Sequence, residues 1–176
     1  MNRPAVLIVL SLVLTGLIVQ TGFAQTSQDY LNQGDAKAEK GDVEGAIVDF
    51  TKAIQADPKN SLAYYARGYA YAITQNFTKA EQDFNKAIEI DPKLAQAYVR
   101  RGAIKSHNKD TNGAIADFTK AIQIQPTYAE AYYVRGYVKI ESGQKKSGCE
   151  DLKKAGELGL SQFQQFNTVV TEKCGN

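Results

Sequence analysis

The chain has 176 residues, 43% of them hydrophobic, with 21 lysines and arginines against 19 acidic residues for a formal net charge of +2. That is enough chain for one domain, and a charge so near balance, with no basic run interleaved with aromatics, excludes a nucleic-acid binder of the electrostatic kind. A single histidine, His107, and two cysteines leave no metal-binding spacing, no Gly-rich phosphate loop is present, and no nucleophile–base pattern surrounds the histidine. No cofactor, metal or small-molecule substrate is expected, and no enzymatic activity.

The first element is residues 1–24. Arg3 makes a short basic start, and 5–19 read AVLIVLSLVLTGLIV. This almost unbroken apolar run of 15 residues falls short of the roughly 20 that span a bilayer and suits the core of a secretory signal peptide. Gly22-Phe23-Ala24 offers small residues where a signal peptidase cuts, so the expected mature chain begins at Gln25. The alternative is an uncleaved N-terminal anchor, the one route to membrane contact. Either reading puts the folded part, 25–176, outside the cytoplasm, in a periplasmic or other extracytoplasmic space.

From Ser27 the chain repeats every 34 residues: Tyr30, Tyr64, Tyr98 and Tyr132; Gly34, Gly68, Gly102 and Gly136; Asp49, Asp83, Asp117 and Asp151; Pro58, Pro92 and Pro126. A fixed period of this size marks a stack of identical supersecondary units. The units run about 27–60, 61–94, 95–128 and 129–160. In the second, Tyr64, Gly68 and Tyr71 share one helical face, Gln75-Asn76 supplies turn chemistry, and Ala80, Phe84 and Ala87 share the face of a second helix. Asp91-Pro92 stops that helix, because the residue before proline leaves the α region.

A mid-helix glycine costs about 1 kcal/mol relative to alanine. Its presence in four units predicts two helix backbones in close approach, Gly68 against the alanine face of Ala80 or Ala87, with Phe84 filling the space beside it. Arg67, Arg101 and Arg135 precede the glycine in three units. An arginine near a packed face wants a fixed carboxylate, so they are expected to pair with members of the set Asp49, Asp83, Asp117 and Asp151, in their own or the preceding unit. A ligand-binding basic stripe is the competing reading.

The fourth unit departs from the pattern, with Gly148 for the alanine, Leu152 for the phenylalanine and Leu160 for the proline. Beyond it, 161–173 place Phe163, Phe166 and Val170 at helical spacing, as a cap helix over the last unit would. Cys149 and Cys174 make an even count in an exported chain, which favours a disulfide stapling cap to stack. Two free thiols are the alternative.

Tyr64, Gly68, Ala80, Phe84, Ala87 and Pro92, with Tyr98, Gly102, Ala114, Phe118, Ala121 and Pro126, resemble the tetratricopeptide repeat family. The resemblance implies an all-α fold: a right-handed α-α superhelix, or solenoid, of four helix-turn-helix repeats and a cap helix. It also implies that the first helix of each unit lines a concave groove holding a protein or peptide partner. Members that clamp acidic chaperone tails use Lys, Asn and Arg there. Of that set this chain has Arg100 and Asn32. What the groove offers instead is Tyr65, Tyr69, Val99, Arg100, Tyr133 and Tyr137, an aromatic and aliphatic lane with one arginine, and these are the expected contacts. The resulting expectation is a non-enzymatic scaffold or assembly factor of the bacterial cell envelope. The alternative is an accessory or regulatory subunit of an envelope enzyme complex acting on the cell wall or on proteins.

Overall fold

The 34-residue period becomes a stack of paired helices. A computed structural model describes residues 25–162 and 164–175, and among them the secondary structure is helical throughout. The helices are α1 (Ser27–Glu39), α2 (Val43–Ala56), α3 (Ser61–Ile73), α4 (Phe77–Ile90), α5 (Ala95–His107), α6 (Thr111–Ile124), α7 (Ala129–Glu141), α8 (Lys145–Glu157) and α9 (Gln164–Cys174). The all-α helix-turn-helix architecture agrees with the sequence reading. The expected leader, 1–24, lies outside the described residues, as does Phe163.

Local chemistry sets the ends of each helix. Asp42, Asn76 and Asp110 cap α2, α4 and α6 by accepting from the N–H of Gly45, Lys79 and Gly113, which satisfies a donor that helix geometry leaves orphaned. Thr26 and Asp29 form a reciprocal capping box at α1. The turn inside each unit passes through a left-handed residue, Gly41, Gln75, Lys109 or Gly143. Extended residues Asp57, Asp91 and Gln125, each before a proline, stop α2, α4 and α6. Where the proline is missing, α8 ends at Gly159, which takes φ +112°.

Each helix packs on the one before it, and first helices also touch across units, α1 with α3 and α5 with α7. The alanines and phenylalanines of the second helices, Ala80, Phe84 and Ala87 in the second unit, are fully buried between the layers.

The glycines correct one expectation. A Cβ on Gly34, Gly68 or Gly102 would meet the ring of Phe50, Phe84 or Phe118, at 2.4, 3.0 and 2.6 Å. In these units the glycine is the seat of an aromatic ring, and the alanines are not what crowds it. Close backbone approach occurs in the fourth unit, where a Cβ on Gly136 would lie 2.7 Å from the Gly148 carbonyl oxygen. The two departures there belong together. Leucine leaves room that a phenylalanine ring would fill, and Gly148 lets the backbones close over it.

The cap starts later than the spacing predicted. A 3-10 turn, Leu160–Gln162, precedes α9, and the Asn167 side chain ties it by donating to the Ser161 carbonyl at 2.8 Å. Phe166 of α9 is buried against α8 residues Leu152 and Ala155. Cys149 and Cys174 are bonded across the same contact, with Cα atoms 5.7 Å apart.

Candidate functional site

The arginine stripe is consumed inside the stack. Arg67 donates from Nε and Nη2 to both oxygens of Asp83, each at 2.8 Å. Arg101 holds Asp117 at 2.8 and 2.6 Å, and Arg135 holds Asp151 at the same two distances. The partner is the aspartate 16 residues later, in the same unit. The remaining nitrogen, Nη1, reaches back to the preceding unit's second helix, to Thr51, Asn85 or Thr119. Each guanidinium also lies over the repeat tyrosine of its own helix, Tyr64, Tyr98 or Tyr132, 5.5–5.9 Å from the ring centre. One side chain thus joins three helices through a planar fork that a lysine ammonium lacks. The first unit has Gln33 in this place. There Lys37 and Lys52 take over, at 2.5 and 3.0 Å from Asp49, and hold its carboxyl below the usual range.

The lane of first helices is what remains for a ligand. Its aromatic members differ in accessibility. Tyr69 and Tyr137 stand 45% and 39% exposed. Tyr65 is half-buried, stacked on Tyr69 and tilted against Phe84, and Tyr133 is half-buried against Phe166 of α9. Val99 was expected among the contacts and is not one. It is 1% exposed, packed with Tyr98, Phe118 and Ala131, because a small apolar side chain on α5 falls inside the packing between neighbouring units. Arg100 faces the lane but is already engaged, bonded to Glu130 at 2.8 Å and lying over the Tyr69 ring.

Between successive first helices the lane opens into apolar hollows of about 300, 300 and 240 Å³. Phe50, Phe84 and Phe118 line them in turn, so the ring seated on each glycine also borders a hollow. A further hollow of about 320 Å³ lies between α7 and the cap, beside Tyr133 and Phe166. Beyond the expected contacts, the hollows are lined by Ile73, 52% exposed, and by Phe77, whose ring packs on His107. Ile73 is on a first helix, α3, where the family resemblance puts the groove. Phe77 begins a second helix and carried no such signal. Among the described residues no three His, Cys, Asp or Glu side chains gather as metal ligands.

Comparison with known proteins follows the same geometry. Residues 31–95 and 95–128 match two family models, both described as tetratricopeptide repeat. No curated protein matches the chain. Among solved structures, a crystal structure of MamA protein is 28% identical with a TM-score of 0.70, covering 85% of this chain and 82% of that one. The OM64 TPR domain of Arabidopsis is 29% identical with a TM-score of 0.63, covering 64% and 93%. The first TPR of Spaghetti, bound to the HSP90 peptide SRMEEVD, is 26% identical with a TM-score of 0.64, covering 66% and 93%.

Proposed function

Because the chain belongs to the tetratricopeptide repeat family of protein–protein interaction modules, we propose that its lane of first helices docks a peptide or helix of a partner protein and that it performs no chemistry of its own. The observation that carries this reading is the exposure of Tyr69 and Tyr137 at the mouths of apolar hollows. Rigid aromatics over desolvated pockets are what binding hot spots are made of. A related fold holding a peptide, that of Spaghetti, supports the mode of binding. The acidic tail of such a peptide finds little here, since Arg100 is tied to Glu130.

The role proposed is scaffold or assembly factor of the bacterial cell envelope. The apolar run at 5–19 and the Cys149–Cys174 disulfide, a bond that persists in oxidising compartments, support that location. Mass spectrometry of protein exported by its host tests it, with a mature N-terminus at Gln25 as the expected result and an intact Met1 on membranes as the contrary one. Pull-down from envelope fractions tests the docking. Recovered partners are lost with Tyr69→Ala plus Tyr137→Ala and kept with Glu150→Gln on α8. The reverse pattern moves the interface to the outer face.

A further inference from the structure

We propose that the hollow between α1 and α3 receives a lysine or arginine side chain of the docked segment, so that the partner is basic and apolar rather than acidic. This rests on the docking reading above and specifies its ligand.

The lane's charges are mostly spent. Arg100 is bonded to Glu130, and Glu141 to Lys173 at 2.5 Å. Asp35 and Glu39 of α1 are different. They stand one helical turn apart at the edge of the same hollow, and among the described residues neither forms an ion pair. The rest of that hollow is apolar, walled by Val43, Phe50, Tyr65, Tyr69 and Ile73. Like charges at this spacing repel. Both carboxylates are exposed, and partial desolvation by the hollow's wall, then Glu39, pushes the Asp35 carboxyl above its ordinary value.

A cation seated at this edge offsets both effects. Lysine and arginine also bring a long aliphatic stem, which covers apolar walls while the head stays at the carboxylates. The same molecule builds the matching contact elsewhere, with Arg100 over Tyr69 and Lys173 over Tyr137. Among the described residues every lysine and arginine of the first helices of the four units already holds a carboxylate, so complementarity runs one way.

A randomised 12-residue peptide library displayed on phage, selected on the whole mature protein, tests this. Expected is enrichment of peptides carrying lysine or arginine among aromatic and aliphatic residues. For a selected peptide made synthetically, Asp35→Asn with Glu39→Gln weakens binding on the order of tenfold, as loss of charge-assisted hydrogen bonds does. Glu150→Gln leaves it unchanged. Selection of acidic peptides, or equal affinity for wild type and the Asp35/Glu39 variant, overturns the inference while leaving docking intact if Tyr69→Ala with Tyr137→Ala still abolishes binding. Failure to select any peptide that depends on those tyrosines overturns the docking reading as well.

Discussion

Two adjacent residues show how little side-chain type alone says about a role. Val99 and Arg100 are neighbours on α5, both at places the family uses for ligands, yet one is core and the other is held by Glu130. Gly148 illustrates the same dependence on surroundings. Restoring the family's alanine there sounds benign, but the new Cβ would sit 2.6 Å from the Gly136 carbonyl oxygen and 3.0 Å from the Ile140 nitrogen. Backbone does not yield as a side-chain tip does, so Gly148→Ala is expected to lose about 1–3 kcal/mol, the usual cost of overpacking. Urea denaturation measures it, and an unchanged midpoint refutes it. Asp49 makes a prediction in pH. It is 1% exposed, and its contacts with the ammonium groups of Lys37 first, then Lys52, hold its pKa below the ordinary 3.8 against the opposing cost of burial. A depressed carboxylate stabilises the fold above its unfolded value and loses that contribution as pH falls through the folded one. The melting-temperature gap between wild type and Asp49→Asn should therefore be full at pH 6 and shrink below about pH 4. A gap that is constant with pH contradicts this.

At the scale of elements, the two ends of the stack are finished differently. The N-terminal end relies on the Thr26 capping box and on lysines in place of the repeat arginine. The C-terminal end has α9 lying on α7 and α8 where the first helix of another unit would pack, with Phe166 against Tyr133 and Leu152. An 11-residue helix is marginal alone in water, so its place depends on that contact and on the disulfide. Cys149→Ser with Cys174→Ser should cost about 2–4 kcal/mol and raise amide exchange first in α9, leaving α3 to α6 protected. Uniform loss of protection across all helices would show instead that the cap is integral to the whole stack. The turns vary for a similar local reason. Gly41 and Gly143 meet the left-handed conformation without strain, while Gln75 and Lys109 adopt it with a Cβ.

Over the whole molecule, each repeat arginine binds its own unit together through aspartate and tyrosine and grips the preceding unit through Nη1, and stability in such a stack is close to a sum of unit and interface contributions. The outer layer is therefore occupied with holding the stack together, and the lane of first helices carries what is particular to this chain. Tyr69→Ala with Tyr137→Ala should abolish a micromolar interaction, since truncating central aromatics typically costs 2 kcal/mol or more each, with helical circular dichroism nearly unchanged because both rings are substantially exposed. Partner binding that survives with the same affinity would place recognition elsewhere.

The period, the helix pairs, their turns and their proline stops were all legible in the amino-acid order, because each depends on a few neighbouring residues and recurs every 34. So was the need of Arg67, Arg101 and Arg135 for a carboxylate. Which aspartate each takes was not legible: 16 residues forward and 18 back are almost as near in sequence, and only the packing of the two helices within a unit puts the forward one beside the guanidinium. The object crowding each glycine was likewise hidden, a ring in three units and a carbonyl in the fourth. Groove membership failed at Val99 for the same reason. Facing a neighbouring first helix and facing an open hollow share one helical register, and the distance between units, set by side-chain volumes across the interface, separates them.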